Sequence, residues 1–132
     1  MKKSTMYRLA LSLLLAANIG LAQGQDMHSI DVKQAQQLKS QGALLLDVRE
    51  ADEYASGHAP GSTLIPVGQL GARLKEIDAF RNKTVVLICR SGRRSAVATE
   101  MLRKAGFSDA KNVEGGMIAW EKNGLPLLKG MK

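Results

Sequence analysis

With 132 residues, the chain has room for one compact domain and not two. Its 45% hydrophobic and 23% charged content is that of an ordinary globular protein, and it contains no low-complexity block or solenoid repeat. The net charge is +7, but aromatic residues make up only 4% and no long basic run occurs, which argues against a nucleic-acid binder.

The chain opens with Lys2, Lys3 and Arg8 and no acid, followed by an uncharged apolar run from Leu9 to Ala22. The run ends in Gly20-Leu21-Ala22, small residues at the two places a signal peptidase reads. This layout predicts a secretory signal peptide over 1–22, with Gly24 as the second choice of cleavage point, leaving a domain over 23–132. A permanent anchor is disfavoured because the run is shorter than the ~20 apolar residues that span a bilayer. The expected location is therefore the periplasm, with no stable membrane insertion after cleavage. Removal takes three of the 19 basic residues and none of the 12 acids, so the mature surplus is modest and suits a small anionic substrate.

Asp31 reads as a helix N-cap before Val32, Ala35 and Leu38, and Gly42 closes that helix. Ala43 to Asp47 is an unbroken apolar run, the pattern of a buried parallel strand. A short helix is expected from Glu50 to Ser56, a turn over 57–61, and a short strand from Thr63 to Pro66. Val67 to Ile77 places Leu70, Leu74 and Ile77 on one helical face. Thr84 to Ile88 is the strongest strand, β-branched and uncharged. A polar loop from Cys89 to Arg94 then leads into a helix from Ser95 to Ala105, with Val97, Met101 and Leu102 on a shared face and Gly106 as its stop. Ala110 to Val113 is a weak last strand, and Gly116 to Lys122 a terminal helix. Strands alternating with helices predict an α/β domain of three layers, a mainly parallel sheet of about five strands flanked by helices. Ligands in such folds bind at the carboxyl ends of the strands, where both Asp47-Val48-Arg49 and the Cys89 loop fall.

Cys89 is the sole cysteine, so no internal disulfide can form. The loop Cys89-Arg90-Ser91-Gly92-Arg93-Arg94-Ser95 joins a buried strand to a helix, where backbone amides lack helical partners and can form an anion cradle. Gly92 permits the twist this needs. Arg90, Arg93 and Arg94 add positive charge. These features lower a thiol pKa and predict a nucleophile at Cys89, not an inert core residue.

This loop resembles the C-x-x-G-x-R-S loop of rhodanese sulfurtransferases, with Cys89, Gly92, Arg94 and Ser95 on its motif positions. Leu45-Leu46-Asp47-Val48-Arg49-Glu50 is similar to the family's L-D-V-R-E segment. Gly57-His58-Ala59-Pro60-Gly61-Ser62 resembles its G-H-I-P-G-A segment, and Val113-Glu114-Gly115-Gly116-Met117-Ile118-Ala119-Trp120 its L-E-G-G-M-x-A-W ending. Four motifs in order are far more specific than any one of them. The resemblance implies a single-domain sulfurtransferase of exported bacterial type. Cys89 would take the outer sulfur of thiosulfate, release sulfite, and pass the sulfur from a persulfide to cyanide or a thiol, without a cofactor. Arg90, Ser91, Gly92, Arg94 and Ser95 would bind the donor, while Arg93, which has no fixed counterpart in the family, either joins them or is simply solvated. The resemblance assigns Arg49 to the substrate or to loop ordering, against the simpler alternative of an ion pair with a neighbouring acid. Asp47 and His58 read as structural residues near the site.

His28 and His58 are too isolated to form a metal site, so no metal is expected. Trp120, taken with Ile118, reads as core packing, and Gly115-Gly116 as a tight turn before a helix. One rival is a phosphatase or arsenate reductase, whose loop carries arginine six positions after the cysteine; here that position is Ser95. A second is a persulfide carrier or binding module with a specific protein partner. A third, a disulfide oxidoreductase, lacks the C-x-x-C pair. A monomer is the default for a domain able to bury its own core.

Overall fold

The computed structural model describes residues 27–131; the expected signal peptide and its cleavage points lie outside them. The sheet has five strands: β1 (Ser29–Ile30), β2 (Leu44–Asp47), β3 (Thr63–Leu64), β4 (Thr84–Ile88) and β5 (Asp109–Val113). They lie in the order β1-β5-β4-β2-β3 and every pairing is parallel. The helices are α1 (Val32–Ser40), α2 (Ala51–Ser56), α3 (Val67–Leu70), α4 (Arg93–Lys104) and α5 (Gly116–Lys122), and a 3-10 segment over Gly71–Phe80 follows α3. The expected three-layer α/β architecture is thus present.

Alternation along the central strands builds the two halves of the core. Val85, Leu87 and Cys89 face one side with Leu46 and Val48, against Ala98 and Leu102 of α4 and Leu70 and Ile77. Val86 and Ile88 face the other with Leu45, against Val32 and Ala35 of α1 and Met117 and Trp120 of α5. Asp31 caps α1 through a reciprocal pair, accepting from the Gln34 amide at 2.8 Å while its own amide donates to Gln34 Oε1 at 3.0 Å.

Three local expectations are corrected, and one strand is added. The edge strand β1 is absent from the sequence reading; two residues carry no period, and it exists through pairing with Asn112 and Val113 of β5. The segment after Val67 is not one α-helix: it tightens into 3-10 turns with breaks at Arg73 and Ile77, although Leu70 and Ile77 are still buried. The buried face of α4 carries Ser95, Ala98, Thr99 and Leu102, at helical spacing, whereas Val97, two residues from Ser95, lies on the opposite side and is exposed. Trp120 is core and donates to the Pro126 carbonyl at 2.8 Å, but Ile118 is exposed, since positions two apart do not share a helical face.

Candidate active site

The C-terminal ends of β2 and β4 lie side by side, with Asp47 in register with Ile88. The next residue after β4 is Cys89, which is 1% exposed. The chain then turns through Ser91 and Gly92, the latter at φ +102°, a left-handed conformation that glycine adopts without strain. This turn aims loop amides back at the sulfur. The Gly92 amide donates to Cys89 Sγ at 3.1 Å, and the Ser95 hydroxyl lies 3.2 Å from it. Burial pushes the Cys89 thiol up. The Ser95 hydroxyl and the amides of Ser95, Gly92 and Ser91 outweigh burial and hold the thiol below its ordinary value. The donors closest to the sulfur are thus a hydroxyl and backbone amides, not guanidinium groups.

The sheet-proximal Arg49 is fully engaged. Its Nε and Nη2 donate to Asp47 at 3.0 and 2.8 Å, and Nη1 and Nη2 donate to the carbonyls of Glu53 and Gly57 at 3.3 and 2.9 Å. Both members of this ion pair are buried. The pair ties the end of β2 to α2 and the turn beyond it. Arg49 and Asp47 are thus joined to each other and to the neighbouring loop, and Arg49 also lies on the wall of the adjoining cleft. His58 is buried beneath that turn; its Nδ1 lies 2.8 Å from the Tyr54 carbonyl and its ring stacks on Tyr54 at 3.7 Å. Its backbone pairs with Leu128, which closes the C-terminal segment over the turn.

The guanidinium of Arg94 does not stand open. Its two terminal nitrogens donate to the two oxygens of Glu53 at 2.7 and 2.8 Å, a fork-to-fork pair linking α4 to α2. Glu53 Oε1 also accepts the Glu50 amide at the start of α2. The hydrogen bond from Arg94 leads the effects on Glu53, and its pKa falls to about 2. Arg94 is raised in turn, first by Glu53 and further by the charge of Cys89. The Glu53 pair takes one N–H from each of the two terminal nitrogens of Arg94. Because the Glu53 pKa lies below its ordinary 4.5, the pair stabilises the fold fully above that value and is lost as pH falls toward 2. Thermal melting between pH 5 and pH 2 should therefore drop more steeply for the native protein than for Glu53→Gln; parallel slopes would dismiss the pair as a stabilising contact.

Arg90, Ser91 and Arg93 are exposed at the rim of the loop. Arg90 lines an open cleft of about 260 Å³ together with Arg49, Glu53, Met117, Ile118 and Glu121. The far wall of this cleft, α5, is bolted to the loop: the amides of Met117 and Ile118 donate to the carbonyls of Cys89 and Arg90 at 2.8 and 3.1 Å. The tight turn expected at Gly115-Gly116 is thus also the second support of the Cys89 loop. Two side chains that the sequence reading passed over belong here. Glu53 sits three residues after Glu50, a spacing that could have marked it, and Asn112 is a buried amide in β5 between the half-buried Lys111 and the buried Val113. Among the described residues, no three His, Cys, Asp or Glu side chains converge in a way that could hold a metal ion.

Removal of the Ser95 hydroxyl gives a direct check on these donors. Ser95→Ala is expected to raise the Cys89 pKa, moving the pH profile of its alkylation upward; an unmoved profile would mean that the amides suffice alone.

Comparison with known proteins places this geometry in context. The family model described as a rhodanese-like domain matches residues 31–123. "Thiosulfate sulfurtransferase 16, chloroplastic" of Arabidopsis thaliana is 36% identical over 108 residues, covering 74% of this chain and 90% of that protein. The "Putative sulfur carrier protein YrkF" of Bacillus subtilis is 42% identical over 76 residues, covering 58% of this chain and 40% of that protein. Some relatives are longer: the chain spans 40% of the Bacillus protein and 56% of another relative from Synechocystis. Among solved structures, a rhodanese-related protein from Thermoplasma volcanium superposes with a TM-score of 0.68 at 33% identity, covering 76% of this chain and 97% of that one.

Proposed function

The chain belongs to the rhodanese-like domain family, and from that premise we propose that it is a sulfurtransferase in which Cys89 carries the sulfur as a persulfide. The observation that carries this reading is the set of donors around Sγ, with the Gly92 amide at 3.1 Å and the Ser95 hydroxyl at 3.2 Å. A thiolate held this way attacks without a general base. The donor we propose is thiosulfate, and the acceptor a thiophile such as cyanide or a thiol. Cys89 is almost wholly buried, so a slender terminal sulfur reaches it more readily than a tetrahedral phosphoryl group does. The place where a phosphatase loop carries its arginine, six after the cysteine, is taken by Ser95, whose hydroxyl lies 3.2 Å from Sγ. Arg90 and Arg93 at the rim draw the anion in.

Turnover of thiosulfate with cyanide, set beside hydrolysis of an aryl phosphate, tests the assignment: sulfur transfer without phosphate release is expected, and the reverse would overturn it. A carrier role remains the second reading, favoured by the likeness to a putative sulfur carrier protein; transfer to a protein acceptor alone, with none to cyanide or free thiols, would select it. We further propose export to the periplasm, cleavage after Ala22 and a monomeric mature domain. The N-terminal sequence of protein recovered from a periplasmic extract, and its elution volume, test these points. No helix among the described residues is long and apolar enough to cross a membrane.

A further inference from the structure

We propose that Asn112 is a positioning residue for Cys89: its carboxamide oxygen accepts the Ser95 hydroxyl's hydrogen bond when charge moves off Sγ to the outer sulfur of the persulfide. The proposal rests on the sulfur-transfer reading above. Asn112 lies in β5, flanked by β1 and β4, and its side chain is buried. Its Nδ2 lies 3.2 Å from the Gly92 carbonyl, which can only accept, so Oδ1 faces Ser95 Oγ, 2.5 Å away. The same hydroxyl oxygen lies 3.2 Å from Cys89 Sγ. One hydroxyl carries one proton, so the sulfur and the amide oxygen compete for it.

The reaction decides the competition. While Cys89 is a thiolate, the full charge on Sγ draws the proton, as charged acceptors do. Sγ then attacks the outer sulfur of thiosulfate. A new sulfur–sulfur bond forms, the donor's sulfur–sulfur bond breaks, and its electron pair leaves on sulfite. The anionic charge of Cys89 now sits on the outer sulfur, no proton has been exchanged with solvent and no oxidant is needed. Sγ has become a neutral, weak acceptor in a buried place. Without an alternative partner the Ser95 hydroxyl would be stranded, at the cost of an unmade buried hydrogen bond. Asn112 Oδ1 supplies that partner, and Nδ2 holds the Gly92 carbonyl in both states. Asn112 thereby favours the sulfur-loaded enzyme over the free thiolate.

The test equilibrates each protein with fixed ratios of thiosulfate to sulfite and reads persulfide against free thiol by intact mass. Asn112→Leu should lower the loaded fraction's ratio about five-fold, the scale of one neutral hydrogen bond. In a Ser95→Ala background, which has no hydroxyl to place, Asn112→Leu should cause no such drop. If Asn112→Leu lowers the ratio as much in that background, Asn112 merely orders the loop and the proposal is overturned; if it shifts nothing in the native background, it is overturned as well. Should Asn112→Leu not fold, as judged by its melting curve, Asn112→Ala removes the same acceptor. A wild type that never loads sulfur would overturn the sulfur-transfer reading itself, and this proposal with it.

Discussion

Cys89→Ser will gain no sulfur atom on incubation with thiosulfate, while the wild type gains one. Cys89 is the chain's only sulfhydryl, so no second thiol can substitute. The replacement keeps an acceptor of similar size within reach of the Gly92 amide and the Ser95 hydroxyl, and the fold should hold with little change in melting temperature. What it removes is an ionisable, nucleophilic sulfur, since a serine hydroxyl stays protonated in the same cradle. Turnover should fall by about 10³-fold or more, the scale for loss of a covalent nucleophile. Residual sulfur loading in Cys89→Ser would show that the sulfur is held elsewhere or bound without a covalent bond.

Gly116→Ala should be the most damaging single methyl group in the domain. Gly116 has φ +53°, and a Cβ there would stand 2.3 Å from the Cys89 carbonyl oxygen and 2.6 Å from the carbonyl carbon and oxygen of Arg90. These are backbone atoms and cannot rotate aside. The start of α5 would have to retreat, which stretches the Met117 and Ile118 amides away from the loop carbonyls they now hold. Overpacking and the left-handed conformation together predict a loss of about 2–4 kcal/mol of stability. Activity should fall further than stability alone explains, because the displaced carbonyl belongs to Cys89 itself. Gly42→Ala is the control: its φ is +102° but nothing lies within 4 Å, so it carries only the conformational cost of about 1–2 kcal/mol. Equal melting temperatures and activities for the two variants would deny α5 its role as a support of the loop.

The parts of the fold that the sequence makes legible are those with a strong local signal. The run Thr84 to Ile88 is apolar and β-branched, and it is the central strand with Cys89 at its end. Asp31 followed by Gln34 announces a capped helix, and Gly92 marks the turn of the active loop. The parts that stay hidden are set by tertiary pairing. Two residues of β1 have no period to read, and the 3-10 turns after Leu70 keep an apolar spacing that an α-helix would share. Arg94 illustrates the same limit within the site. Its motif position is plain in the sequence, yet Glu53, 41 residues away, occupies its fork, and no local pattern announces that partner. Asn112 is hidden likewise: only the folding of β5 beside the loop brings its amide to Ser95 and Gly92.

Neighbouring hydroxyl and amide hydrogens lower the pKa of the buried sulfhydryl, and sulfur transfer through Cys89 depends on that ready ionisation. The rate of Cys89 alkylation as a function of pH, followed on the intact wild-type protein, measures it without reference to any substrate. A rate already on its plateau below neutral pH is the expected result. A rate that climbs only toward the free-thiol value of about 8.5 would contradict it.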